Sequence, residues 1–213
     1  MRLITQSLLV LALGVGLARA DGETAGEFDY YVLSLSWSPN WCIREGDARD
    51  ADQCDARHDF GWILHGLWPQ YDRGWPSFCP TRHRNPSRSD TRAMADIMGS
   101  SGLAWHQWQK HGRCSGLSSD AYFALSREAY ATVTHPDAFR RLKQPIRLPA
   151  SVVEEAFLAA NPNLSAGQIT ITCKDGGIQE ARICLTRSLE FRDCGADVQR
   201  DCNLNRATMD VIR

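Results

Sequence analysis

Eight cysteines restrict the possible folds of this 213-residue chain more than any other feature of its sequence. All of them lie after residue 41, and their number is even. An even cysteine count behind a secretion signal is typical of a disulfide-bonded domain in an oxidising compartment. A zinc cluster is the alternative, but no Cys-x-x-Cys pair occurs and the cysteines are widely spread. We therefore expect four disulfides, although spacing alone allows about 100 different pairings.

The first 20 residues have the pattern of a secretory signal peptide. A basic start at Arg2 precedes an apolar run over residues 8–17, and Ala18-Arg19-Ala20 forms a small-x-small cleavage signal. The run is shorter than the roughly 20 residues that span a bilayer. We expect residues 1–20 to be removed and residues 21–213 to form one secreted or periplasmic domain without a membrane segment. The alternative is an apolar N-terminal helix of the domain itself.

The charge of the chain argues against a polycation. Its formal net charge is −1, and loss of Arg2 and Arg19 with the leader would make it about −3. Overall charge therefore cannot hold a nucleic acid, so any such partner must bind at a local site.

The order of the predicted elements indicates an α+β fold. Residues 27–39 alternate as a strand does, and the apolar run 59–69 predicts a buried strand that carries His65. Helical patterns fill the middle, with predicted starts at Asp90, Ser119 and Pro136 and a capping box formed by Ser151 with Glu154. Residues 168–191 return to strands that can pair around a turn. We predict a single domain with a central antiparallel sheet and several packed helices, not a doubly wound parallel sheet.

Two histidines stand close together in residues 105–114, WHQWQKHGRC. Treated as a helix, this stretch places its polar side chains on one side and Trp105 and Trp108 on the other. The polar side chains are His106, Gln107, Lys110 and His111. The pattern predicts two buried tryptophans that fix the helix while two imidazoles and an ammonium face a ligand.

The chemistry of this cluster favours phosphate over a metal ion. Zinc-binding helices space their histidines four apart with a carboxylate base between them, whereas His106 and His111 are five apart and Gln107 is neutral. Crowded cations attract an anion, and two imidazoles can serve as base and acid near neutral pH. RNA cleavage by its own 2′-hydroxyl needs such a pair on opposite sides of the phosphorus. A histidine on another element, such as His65, could complete the pair.

The motifs HGLWPQ (residues 65–70) and WHQWQKHGRC, in this order, resemble the motif pair of the ribonuclease T2 family of secreted acid endoribonucleases. The strand ending in SWSPNWC and the cysteine-rich last third are also similar, so the resemblance covers nearly the whole chain after residue 20. It implies a metal-independent endoribonuclease without a cofactor that acts on single-stranded RNA as a monomer.

The resemblance also implies a role for each site residue. His65 corresponds to the general acid toward the leaving 5′-oxygen and His111 to the general base on the 2′-hydroxyl. His106 corresponds to the phosphate-binding histidine and Lys110 to the lysine that stabilises the transition state. Trp68 corresponds to a tryptophan of the base-binding site, with core packing as the alternative.

The chain departs from the family pattern at two positions. Gln107 stands where the family usually has glutamate, although its amide can still donate a hydrogen bond to a phosphoryl oxygen. Gln70 stands where some members have an aspartate that contacts the base, so base preference does not transfer. These departures leave a second hypothesis open, a catalytically impaired RNA- or anion-binding protein on the same fold. A metal-dependent nuclease is third.

The resemblance finally implies a set of disulfides. The implied pairs are Cys42–Cys54, Cys79–Cys114, Cys173–Cys202 and Cys184–Cys194. The second of them would tie the end of the histidine helix to the segment after the first motif.

Overall fold

A six-stranded sheet forms the centre of the protein, as judged from the computed structural model, which describes residues 23–213. The strands are β1 (Tyr30–Trp37), β2 (Trp62–Gln70), β3 (Ile146–Leu148), β4 (Ile169–Lys174), β5 (Gly177–Leu185) and β6 (Ala207–Met209). The α-helices are α1 (Ser38–Trp41), α2 (Arg88–Ala93), α3 (Ala95–Met98), α4 (Ser101–Lys110), α5 (Ser119–Thr132), α6 (Asp137–Arg140) and α7 (Ala150–Ala160). A π-turn spans Cys42–Gly46, and 3₁₀ turns span Asp47–Arg49, Asp52–Cys54, Ala56–His58, Gly112–Ser115 and Ala166–Gln168.

The sheet order is β2-β1-β5-β6-β3, with β4 also paired to β5. Four of the strand pairs are antiparallel, and the α+β prediction is confirmed. Among the strands of residues 23–213, β5 and β6 are the exception, because they run parallel where Gly177 pairs with Thr208. A tight turn forces neighbouring strands to be antiparallel, whereas the long connection over residues 186–206 leaves the direction free.

The two faces of the sheet have different partners. On one face, Leu33, Leu35 and Leu64 belong to the main hydrophobic core, which includes side chains of the helices. On the other face, Tyr30, Val32 and other buried residues form a smaller cluster with Cys184 and Val198. Because both faces are covered, Ser34 is fully buried and Ser36 is partly buried, so the alternation of β1 does not separate core from solvent.

Several helices begin at other residues than predicted, or without the predicted cap. Helix α2 is capped by Ser87, and the predicted cap Asp90 is instead the third helical residue of that capping box. Helix α5 is capped by Ser118, one residue before the predicted Ser119. The predicted Ser151–Glu154 capping box is wrong, because α7 follows Pro149 without a side-chain cap. There the backbone N–H of residue 150 donates to the carbonyl of residue 204, which replaces a cap.

All cysteines of the described residues are paired. The pairs are Cys42–Cys54, Cys79–Cys114, Cys173–Cys202 and Cys184–Cys194, the same four that the resemblance implies. The predicted signal peptide, residues 1–20, lies outside the described residues. Over residues 23–213, we find no helix with the length and apolar character needed to cross a membrane.

Candidate active site

His65 lies at a β-bulge in the middle of β2. Ser34 of β1 pairs with Gly66 and Leu35 pairs with Leu64, so His65 is the extra residue of the bulged strand. In a regular strand, successive side chains point to opposite faces. The bulge changes the direction of one side chain, and His65 reaches Glu180 of β5, with 2.5 Å between His65 Nδ1 and Glu180 Oε1.

Glu180 is a buried carboxylate with two basic neighbours, His65 and Arg182. Its side chain is 2% exposed, and Arg182 donates to its second oxygen from Nε at 2.8 Å and from Nη2 at 2.7 Å. Burial raises the pKa of the Glu180 carboxyl, but hydrogen bonds and charges of His65 and Arg182 outweigh it and lower the pKa to about 2. Glu180 is therefore an anion at any pH near neutral.

Sequence reasoning missed Glu180 and Arg182. The signal for them was two charged residues, two positions apart, on one face of the otherwise apolar strand that contains Ile178 and Ile183. Charged side chains inside such a strand are paired with one another or with a functional group.

The histidine helix is shorter than predicted. Helix α4 begins after Ser100, whose side chain accepts from Leu103 N–H at 3.1 Å, and it ends at Lys110. His111, which the prediction included in the helix, follows instead as the C-cap with φ −119°. Its backbone N–H still donates to the carbonyl of Gln107. His111 therefore lies directly after the last helical residue and stays hydrogen-bonded to the last turn of α4.

The two tryptophans of this stretch have different environments. Trp108 is fully buried, packs near Tyr122 and donates to Asn85 Oδ1 at 3.1 Å. Trp105 is 43% exposed, so the prediction that both tryptophans anchor the helix is wrong for this one. One buried indole and the hydrogen bond to Asn85 hold α4 in place.

His111 is buried and its imidazole stacks on the indole of Trp68. The ring centroids are 5.2 Å apart and the ring planes differ by 25°. Burial lowers the pKa of His111 to about 3, and the charges of Lys110, His65 and His106 add to this effect. The pKa of His106 is also lowered, first by burial and then by Lys110 and His65. His111 is therefore neutral at the pH values at which a general base would act.

The side chains of Trp68 and Gln107, which line the same cavity as the histidines, form a hydrogen bond. Trp68 Nε1–H donates to Gln107 Oε1 at 2.8 Å, and Gln107 is 2% exposed. Because the indole nitrogen can only donate, the amide oxygen of Gln107 must face it and the NH₂ group must face elsewhere. A Cβ on Gly66 would lie 2.2 Å from Gln107 Oε1 and 2.3 Å from Trp68 Nε1. Glycine at position 66 therefore allows this contact.

A cavity of about 420 Å³ brings the predicted site residues together. The residues predicted from the sequence that line it are His65, Trp68, Gln70, His106, Gln107, Lys110 and His111. Gln70 is buried and donates to the carbonyl of Pro69. The lining residues that sequence reasoning missed are Val32, Trp75, Gln179, Glu180, Arg182, Asp197 and Val198.

Trp75 lies at the cavity and is 54% exposed. It follows Gly74, which has a positive φ of 77° and whose N–H donates to Asp197. In the sequence, a tryptophan directly after the turn residue Gly74 was the signal for such an aromatic surface.

The described residues 23–213 contain no cluster of three or more His, Cys, Asp or Glu side chains that could hold a metal ion. The imidazoles, the ammonium of Lys110 and the amide of Gln107 instead present proton carriers and hydrogen-bond donors to one cavity. This arrangement suits an anionic substrate that undergoes proton transfer.

Residues 28–194 match the sequence model of the ribonuclease T2 family. A ribonuclease of Aeromonas hydrophila is 42% identical over 127 residues, which cover 56% of this chain and 56% of that protein. Ribonuclease I of Escherichia coli is 30% identical over 162 residues, which cover 57% of this chain and 59% of the relative. The chain thus spans little more than half the length of these curated relatives.

Solved structures show the same fold at low sequence identity. An RNase-related protein from Calystegia sepium superposes with a TM-score of 0.67 at 18% identity, over 88% of this chain and 99% of that one. RNase NT, solved in complex with 5′-AMP, gives a TM-score of 0.58 at 19% identity, over 85% of this chain and 97% of that one. With the sequence match over residues 28–194, we conclude that this chain belongs to the ribonuclease T2 family.

Proposed function

We propose that the protein is an endoribonuclease that cleaves single-stranded RNA through 2′,3′-cyclic phosphate intermediates. One observation carries the proposal: two imidazoles of one cavity have opposite environments. His111 is buried among cations, which favours its neutral form. His65 lies instead 2.5 Å, from Nδ1 to Oε1, from the buried and ionised carboxylate of Glu180. Opposite environments of two titratable groups indicate which is the base and which is the acid.

In the first step, His111 removes the proton of the 2′-hydroxyl. The 2′-oxygen forms a bond to phosphorus, the bond from phosphorus to the 5′-oxygen breaks, and His65 gives its proton to that oxygen. The products are a 2′,3′-cyclic phosphate and a free 5′-hydroxyl. The reaction needs no oxidant, reductant or cofactor, and we propose that it needs no metal ion.

The charge that builds on the phosphoryl oxygens is stabilised by three neighbours. Lys110 supplies an ammonium, His106 supplies an imidazole N–H, and the NH₂ of Gln107 supplies a neutral donor. Because Trp68 holds the amide oxygen of Gln107, that donor is already oriented before substrate binds.

In the second step, water opens the cyclic phosphate and leaves a 3′-phosphate. The two histidines exchange roles, since His65 is now neutral and His111 carries the proton. His65 removes a proton from water, whose oxygen bonds to phosphorus, while the bond from phosphorus to the 2′-oxygen breaks and His111 gives its proton to that oxygen. Both histidines are then back in their starting states.

The exposed ring of Trp75 offers a surface on which an unpaired base can stack, which supports a single-stranded substrate. The base-binding role of Trp68 stays a proposal, and one face of its ring stacks on His111. Four disulfides support an oxidising compartment, and we propose secretion or the periplasm. We also propose that the protein acts as a monomer, which light scattering during gel filtration would test.

The test incubates the oxidised protein with a short single-stranded RNA in excess EDTA and analyses the products by mass. We expect cyclic-phosphate ends, their later conversion to 3′-phosphates, and loss of both in His65→Ala and His111→Ala. His58→Ala is the control, because this half-exposed histidine does not line the cavity. Intact RNA from acidic to neutral pH would reject the proposal. Binding of the same RNA without cleavage would then favour the alternative, an impaired RNA- or anion-binding protein.

A further inference from the structure

We infer that Glu180 is a positioning residue that holds His65 with Nδ1–H toward its carboxylate and Nε2 toward the cavity, ready to act as a proton donor. The inference rests on the proposed function, because it explains how one of two nearby histidines becomes the acid. Glu180 is not part of either of the two histidine motifs, residues 65–70 and 105–114.

The contact between Glu180 and His65 determines which imidazole nitrogen carries the proton. Glu180 Oε1 lies 2.5 Å from His65 Nδ1, and the other oxygen of Glu180 receives Arg182. An ionised carboxylate can only accept hydrogen bonds, so Nδ1 of His65 must carry the proton. Nε2 is then the nitrogen that remains for the substrate. A carboxylate that orients a histidine in this way also stabilises the imidazolium.

Glu180 stays ionised although it is buried. Arg182 donates to it twice and lies 5.4 Å from the centre of the Trp68 ring. The low pKa of Glu180, about 2, reflects His65 and Arg182 together. A buried carboxylate with neither of these two partners would take up a proton and could no longer select the tautomer of His65.

Other charged groups also surround His65. The groups on the side of α4 are basic, namely His106, Lys110 and His111, and each disfavours a further cation. A neighbouring cavity that His65 also lines contains Glu45 and Lys174, which pair with each other at 3.0 Å. Within residues 23–213, Glu180 is the carboxylate in direct contact with His65. It therefore supplies the negative charge that offsets the basic groups.

His65 is the extra residue between the Ser34–Gly66 and Leu35–Leu64 pairs, so the regular sheet does not fix the direction of its side chain. The contact with Glu180 of β5 gives the side chain of His65 its direction.

The experiment compares two variants that break the same ion pair. Glu180→Gln removes the carboxylate charge, and Arg182→Gln removes its second partner but keeps the charge next to His65. Nitrogen NMR of ¹⁵N-histidine-labelled protein, assigned with His65→Ala, reports which nitrogen carries the proton and at which pH the ring titrates.

We expect Nδ1–H in the wild type. In Glu180→Gln, the midpoint of the His65 titration should move to lower pH by about one to three pH units, as for loss of an adjacent opposite charge. In Arg182→Gln, the midpoint should stay or move to higher pH, because a cation has been lost. A general structural effect of breaking the pair would move both variants in the same direction, and that result would overturn the inference.

Kinetics on a dinucleotide provide the second readout. In Glu180→Gln, kcat should fall about 10- to 100-fold, a part of what general acid catalysis contributes, while KM changes little. The alkaline side of the pH profile should move to lower pH. A fall in kcat with an unchanged alkaline side would contradict a positioning role.

The outcomes for the inference and for the proposed function are separable. The NMR result holds without any substrate, so intact RNA together with the expected titrations would reject the proposed function and keep the inference. An unchanged His65 titration in Glu180→Gln would reject the inference even if His65→Ala is inactive. Should Glu180→Gln fail to fold by circular dichroism, the tautomer in the wild type decides, and an Nε2–H tautomer overturns the inference.

Discussion

The indole of Trp68 stacks on the imidazole of His111, with 5.2 Å between the ring centroids. The same indole meets His65 edge to face at 5.4 Å with an interplanar angle of 77°. Trp68 therefore contacts both proposed proton carriers, and its N–H binds Gln107. A ring in this position excludes water from His111, which is one reason for the low pKa of that histidine.

The activity should persist in acid. A general base must be neutral, and burial lowers the pKa of His111 from 6.5 to about 3, so the base loses its function only as the pH falls through about 3. We expect kcat/KM in a bell-shaped profile whose acidic side lies below about pH 4. A measurement of kcat/KM from pH 3 to pH 9 checks this, and an acidic side centred near pH 6.5 would contradict it.

Gln107→Glu should move the acidic side of the profile to higher pH. The carboxylate can still accept from Trp68 Nε1–H, but it adds a negative charge beside His111 and His106. An adjacent carboxylate favours the imidazolium, so the pKa of His111 should rise by about one pH unit or more. The same pH series gives the answer, and Gln109→Glu, outside the cavity lining, is the control.

Gly66→Ala should disrupt the site. The added Cβ would lie 2.2 Å from Gln107 Oε1, so one of the two hydrogen-bonded side chains must move. We expect the free energy of unfolding to fall by about 1–3 kcal/mol, as for overpacking. We also expect kcat to fall at least about 10-fold, from the misplaced donor.

The control for Gly66→Ala is Gly102→Ala in α4. There the nearest heavy atom to a new Cβ is 4.0 Å away, and alanine favours helix, so stability should stay or rise by less than about 1 kcal/mol. Equal effects of the two substitutions in urea unfolding would show that the close approach at Gly66 is not the cause.

Removal of the Cys79–Cys114 disulfide should reduce activity more than removal of Cys173–Cys202. The two bridges close chain segments of similar length, with sequence separations of 35 and 29, so each should contribute about 3–4 kcal/mol to stability. Only the first joins the segment after β2 to the turn after α4, where the N–H of Phe78 donates to the carbonyl of Lys110.

The disulfide comparison uses double Cys→Ala variants, with circular dichroism for secondary structure and RNA cleavage for activity. We expect both variants to keep their secondary structure at low temperature while the Cys79–Cys114 variant loses kcat. Equal residual activity in the two would contradict a role of this bridge in holding the site.

His135→Leu should flatten the dependence of stability on acid pH. Burial, aided by Arg140, lowers the pKa of His135 from 6.5 to about 4, and its Nε2 is buried without a partner. Between these pH values the unfolded chain binds a proton that the folded chain does not, so stability falls as the pH falls from 6.5 to 4. Urea unfolding at pH 7 and pH 4.5 should show that the variant loses about 2 kcal/mol less than the wild type. An identical loss would contradict this.

Local patterns predicted the parts of the fold that depend on near neighbours. The strand over residues 30–37, the strand that carries His65 and the hairpin around Asp175 and Gly176 all appear where alternation and turn residues place them. The predicted site residues share one cavity because each motif is a short continuous segment that a single strand or helix presents.

Features that depend on distant segments could not be predicted in the same way. The bulge at His65 exists only relative to the register of β1, and Glu180 lies 115 residues further along the chain. A helical wheel treats Trp105 and Trp108 alike, since it contains no information on which of them meets Asn85 and Tyr122. The same limitation placed His111 on the helix, although α4 ends one residue earlier.

The separation between His65 and Glu180 has a consequence for the order in which activity arises during synthesis. A chain that has been translated through β2 and α4 already contains both histidine motifs, but not the strand that His65 contacts. That strand, β5 (Gly177–Leu185), is translated after both motifs and pairs with β1 in the middle of the sheet. A nascent chain that has not yet been translated through β5 thus contains both histidine motifs but lacks the carboxylate that His65 contacts, and ribosomal RNA near it meets an incomplete site.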